Sequence, residues 1–64
     1  MTNEERGNVL RQLMKDHKKS ISQLSDETDL CVSTIRNVLD GKGITVSTLQ
    51  VIAWRLGVEP AELL

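Results

Sequence analysis

Aromatic side chains are almost absent from these 64 residues: there is no phenylalanine, no tyrosine and one tryptophan, Trp54. Aromatic and β-branched runs are what build strands, and the period-two alternation of a half-buried strand is missing too. The single proline, Pro60, leaves the rest of the chain free for helices. Cysteine also occurs once, at Cys31, so no intramolecular disulfide can brace the fold. A lone thiol suits a reducing, cytoplasmic setting. No apolar run approaches the ~20 residues of a membrane span, and the polar N-terminus does not resemble a signal peptide. One histidine and one cysteine cannot make a four-ligand zinc site. His17 has no sequence signal for a nucleophile or an acidic partner, and no glycine-rich phosphate loop is present. Neither catalysis nor a metal or other cofactor is expected.

Basic excess is lacking as well. Eight Lys and Arg against nine Asp and Glu leave a net charge of −1, whereas nucleic-acid-binding domains are usually basic. The distribution is uneven. Arg6, Arg11, Lys15, Lys18 and Lys19 outweigh Glu4, Glu5 and Asp16 in the first 19 residues. From Ser20 to Gly41, Arg36 faces Asp26, Glu27, Asp29 and Asp40 alone. After Gly41 the charges balance.

What the chain does have is helical periodicity throughout. Its length allows one domain, residues 1–64, burying only about 60% of the surface that its unfolded chain exposes. The organising stretch is Ser20 to Gly41. Ser20 is a good N-cap, and Gln23 three residues on completes a capping box. Ile21, Leu24 and Thr28 follow at helical spacing. Asp29, Leu30 and Cys31 interrupt the pattern, and a further helix runs from about Val32 to Leu39, with Ile35, Val38 and Leu39 inward and Gly41 as its stop. Two short helices around a three-residue joint form a helix-turn-helix.

On either side the pattern continues. Thr2 with Glu5 caps a first helix, about Asn3 to His17, whose inward face is Val9, Leu10, Leu13 and Met14. Lys15, Lys18 and Lys19 gather at its negative end. Thr45 caps a fourth helix, Val46 to about Leu56, with Leu49, Ile52, Ala53 and Leu56 as its core stripe and Gly57 as its stop. Glu59 and Pro60 open a last short helix, with Leu63 and Leu64 inward. The expectation is an all-α, compact bundle of five helices.

The central stretch resembles the helix-turn-helix of the lambda repressor/Cro superfamily (Xre-type regulators). SISQLS at 20–25 and STIRNVL at 33–39 echo lac-repressor-type headpieces. Leu24, Leu30, Ile35 and Val38 fall where those families bury apolar residues, and residues 45–64 resemble the closing helices of the same domains. Three positions depart: Ser25 replaces a small alanine, Asp29 replaces the turn glycine, and Leu39 stands where a glutamate is common. Aspartate tolerates a left-handed backbone better than most residues, at roughly 1 kcal/mol.

The resemblance implies a DNA-binding regulator whose third helix enters a major groove. Its base-reading positions would be Val32, Ser33 and Asn37, with Arg36 reaching guanine or a phosphate. Lys18, Lys19, Ser20, Ser22, Thr34 and Lys42 would contact the phosphate backbone. Few cations are placed to do so, so a homodimer on a palindromic operator is expected. Val51 and Trp54, three apart on one flank of the fourth helix, and Val58 beyond it form the candidate dimer or partner surface. The rival reading keeps the fold but makes it a protein-interaction module, antirepressor- or antitoxin-like, with the acidic motif facing a basic protein. For Cys31 two readings stand: a small residue capping the third helix, or an oxidisable thiolate at its N-terminus.

Overall fold

Hydroxyl side chains start three of the four helices. In the computed structural model, which describes all 64 residues, these are α1 (Asn3–Asp16), α2 (Ile21–Thr28), α3 (Val32–Leu39) and α4 (Val46–Leu56). Thr2 Oγ1 accepts from the Glu5 N–H at 3.1 Å while Glu5 Oε1 accepts from the Thr2 N–H at 3.1 Å. The Thr2 backbone N–H donating to the carboxylate, helped by the nearby Thr2 hydroxyl, holds the Glu5 carboxyl below its ordinary range. Ser20 and Gln23 repeat the reciprocal box on α2, at 3.1 and 2.9 Å. Thr45 accepts from the Thr48 N–H at 3.3 Å and starts α4. At α3 the cap position is Cys31, and it makes no side-chain bond. The expected capping role for its thiol is not met, because sulfur is a weak acceptor; the thiol is free and exposed.

Three helices stop in the same way. Beyond α3, Gly41 turns left-handed at φ 82°, its N–H bonds to the Val38 carbonyl at 3.1 Å, and the Lys42 N–H reaches the Asn37 carbonyl at 2.9 Å. Beyond α4, Gly57 (φ 72°) and Val58 close on the Trp54 and Ala53 carbonyls. Both are Schellman closures, with glycine at the position that needs positive φ. The end of α1 has the same bonds, from Lys18 to Lys15 and from Lys19 to Met14, but its left-handed residue is Lys18 at φ 55°. Sequence reasoning did not find this position, since lysine carries no signal for it.

One core joins all the elements. Leu10 and Met14 from α1, Leu24 from α2, Ile35 and Val38 from α3, and Leu49, Ile52, Ala53 and Leu56 from α4 meet there with Leu63. Each fully buried leucine or isoleucine stabilises the fold by about 1.5–3 kcal/mol. Val9 and Leu13 pack only at the margin of this cluster. The inward position beside Leu10 is taken instead by Gly7, which is buried where α1 crosses α3. A Cβ at residue 7 would lie 2.7 Å from the Val38 carbonyl oxygen and 2.9 Å from that of Leu39. Glycine lets the two backbones meet. Arg11 Nη2 adds a bond to the Leu39 carbonyl at 3.3 Å.

The fifth helix is corrected. Pro60–Glu62 is a single 3₁₀ turn, so the fold has four α-helices and no strand. Its bonds run from Glu62 to Glu59 and from Leu63 to Pro60. Three residues per turn eclipse positions i and i+3, which sets Leu63 over Pro60. Leu63 is therefore buried while Leu64, expected inward, faces solvent. Arg6 fastens this last turn to α1: its Nε donates to the Leu63 carbonyl at 2.7 Å and its Nη1 to Asn3 Oδ1 at 2.6 Å.

Candidate nucleic-acid interface

The joint between α2 and α3 is held by side chains. Asp29 takes the left-handed conformation expected of it, at φ 59° and ψ 21°. Thr28 is buried, donates its hydroxyl to the Leu24 carbonyl at 2.6 Å and accepts from the Leu30 N–H at 3.3 Å. Ser25 Oγ donates to the Leu30 carbonyl at 2.5 Å. Ser25 is thus more than a tolerated replacement for alanine, because it ties one turn of α2 to the residue beyond the bend. With the joint fixed and Ile35 and Val38 sealed in the core, the direction in which α3 presents its other face is fixed too.

That other face carries the four candidate base readers. Val32, Ser33, Arg36 and Asn37 are all exposed and follow the i, i+1, i+4, i+5 spacing of one helical face. They offer an apolar contact, a hydroxyl, a guanidinium and a carboxamide side by side. Thr34 is half-buried beside them and lines a hollow of about 150 Å³ with Asn37, Gly43, Thr45 and Thr48.

The candidate phosphate contacts fall into two groups. Lys18, Ser20, Ser22 and Lys42 are exposed, and Ser20, though its oxygen accepts from Gln23, keeps a proton to donate. Lys19 is different: its ammonium is half-buried and held by both oxygens of Glu27, at 2.8 and 2.5 Å. In this structure it is therefore paired within the chain rather than free. The structure makes Lys19 a tie between the end of α1 and α2, and Glu27 its counterion. Arg11, which was not singled out for this role, and Lys15, which gathers with Lys18 and Lys19 at the end of α1, line a hollow of about 310 Å³ with Lys19 and Ser20. Asp26, Asp29 and Asp40 are exposed.

A family model for the Cro/C1-type HTH DNA-binding domain matches residues 9–64. The chain belongs to that family. Comparison with curated proteins and with solved structures returned no match. Membership of the Cro/C1-type family makes the helix-turn-helix, α2 and α3, a DNA-binding element. The matched segment starts after the first two turns of α1, so Arg6 and Gly7, which clamp α1 onto the last turn and onto α3, lie outside it. An isolated glycine inside a helical pattern was the one sequence signal for the α1–α3 crossing; Arg6 had none. No helix is long and apolar enough to cross a membrane.

The candidate partner residues lie on α4 and just beyond it. Trp54 is 80% exposed, while Val51 and Val58 are half-buried beside it. Together with Ser47, Gln50 and Pro60 they line an open hollow of about 660 Å³.

Proposed function

We propose that this protein is a sequence-specific transcriptional regulator that acts in the cytoplasm as a homodimer on a palindromic operator. In this reading α3 lies in the major groove. The observation that carries it is the exposed row Val32, Ser33, Arg36 and Asn37 on a helix whose opposite face is buried. Val32 meets a thymine methyl, Ser33 a donor or acceptor, Asn37 an adenine edge, and Arg36 a guanine or phosphate. Lys18, Ser20, Ser22, Thr34 and Lys42 hold the backbone. With Lys19 occupied by Glu27, a single copy neutralises few phosphates, and affinity follows the number neutralised. Two copies on one operator double it.

Selection of duplexes from a randomised pool, followed by gel-shift titration at low and moderate salt, tests this. Asn37→Ala is expected to lose on the order of 1–3 kcal/mol at one base pair and to relax preference there. Lys42→Ala is expected to weaken binding to every sequence and flatten the salt dependence. A pool that yields no preferred duplex would refute base reading. It would favour the second reading, a protein-interaction module, which the exposed Asp26, Asp29 and Asp40 around the motif support.

A further inference from the structure

We infer that the hollow between α1 and the start of α2 docks an acidic amphipathic helix of another protein. Arg11 and Lys15, both exposed, stand one helical turn apart on α1. Met14, Ile21 and Leu39 give the hollow, about 310 Å³, an apolar floor, and no acidic residue lines it. The negative end of α1 favours Lys15, but like charges four positions apart repel, and no carboxylate pairs with either. The fold's one ion pair is that of Lys19 with Glu27. Asp16, next to Lys15, is engaged by the Gln12 amide at 2.8 Å. Leu39 offers Arg11 only its backbone carbonyl, at 3.3 Å. A guanidinium and an ammonium thus keep most of their donors free, on a protein whose net charge is −1.

Charge complementarity calls for carboxylates or phosphates, and the floor decides between them. A DNA backbone presents phosphates and sugars, which gain nothing from an apolar surface beneath them. An amphipathic helix brings both parts. Carboxylates four positions apart match Arg11 and Lys15, and a leucine or phenylalanine between them covers Ile21 and Leu39. A hollow this open encloses too little of a small acid to retain it, since small-molecule sites bury most of their ligand. Ser20 lines the same hollow, and the function proposed above assigns its hydroxyl to the DNA backbone. On that reading an acidic helix seated here excludes the operator, so the partner lifts the protein from DNA. The docking itself does not rest on that reading; the exclusion does.

A displayed library of randomised peptides of about 15 residues, long enough for a helix to persist, panned against the full chain, tests the docking. The expected winners carry Glu or Asp at i and i+4 beside a leucine or phenylalanine. A synthetic winner, titrated by fluorescence anisotropy, should lose about tenfold in affinity with Arg11→Gln and again with Lys15→Gln. It should also shift the amide resonances of α1 and of the start of α2. Leu39→Glu, which sets a carboxylate beside Arg11, should abolish binding while helical circular dichroism stays at the wild-type level. Should Leu39→Glu fail to fold, the two glutamine variants decide. Winners without acidic residues, or winners indifferent to both glutamine variants, overturn the inference. So does a loss, in those variants, of affinity for duplex DNA but not for peptide, which gives the hollow to phosphate. A selected duplex should compete with the peptide; both bound at once would overturn the exclusion from DNA. With no duplex selected, the DNA-reading function fails, and the peptide titrations decide the docking.

Discussion

Replacing Gly7 by alanine tests the α1–α3 crossing, on which the direction of the reading helix depends. On propensity alone the change is favourable: alanine in a helix interior gains about 1 kcal/mol over glycine. The structure reverses the sign. The new Cβ would sit 2.7 Å from the Val38 carbonyl oxygen and 2.9 Å from that of Leu39, closer than carbon and oxygen approach. Neither oxygen is on a flexible side chain. The Val38 carbonyl accepts from the Gly41 N–H in the closure of α3, and that of Leu39 accepts from Arg11. Relief must come from moving α1 away from α3, which opens gaps around Leu10 and Met14. Overpacking of this kind costs about 1–3 kcal/mol, and backbone obstacles put it at the upper end. The net expectation is a loss of about 1–2 kcal/mol. At about 4–8 °C per kcal/mol for a domain of this size, Tm should fall by roughly 5–15 °C in a thermal melt followed by circular dichroism. A Gly7→Ala protein as stable as wild type, or more stable, would refute the crossing geometry.

Two left-handed residues, Asp29 and Lys18, should each gain roughly 1 kcal/mol when changed to glycine, because glycine adopts that backbone without a Cβ penalty; a lower Tm for either variant would point to a side-chain contact holding the wild-type residue there. Glu27→Gln should release the Lys19 ammonium, costing at most about 1 kcal/mol of stability as a surface pair. It should also steepen the dependence of DNA affinity on salt by up to ~0.9 in log–log slope as a new cation reaches phosphate. An unchanged slope would leave Lys19 with a structural role only.

Much of the fold was legible because its instructions are local. The capping boxes at Thr2–Glu5 and Ser20–Gln23, the cap at Thr45 and the glycine stops at 41 and 57 each act within a few residues, and each is where the sequence puts it. The exposed row on α3 was legible for the same reason: once Ile35 and Val38 face inward, helical geometry fixes what faces outward. What was not legible depends on distant partners. Gly7 is small because of Val38, and Arg6 is placed by the carbonyl of Leu63. Lys19 reads as a free cation until Glu27, eight positions away, comes within 2.8 Å. The last turn departed from expectation because helical periodicity does not distinguish 3.6 residues per turn from 3.0 over so short a stretch, yet the difference decides which of Leu63 and Leu64 is buried.

The bond from Arg6 to Leu63 spans 57 positions, and it sets an order of events during synthesis. A chain made at about 5–20 residues per second takes several seconds to reach Leu63. Small helical domains fold in microseconds to milliseconds. Until Leu63 emerges, α1 lacks its clasp and the core lacks one of its fully buried leucines. The complete core, which runs from Leu10 to Leu63, is therefore available only once the last turn has been made, and folding from there is fast beside synthesis.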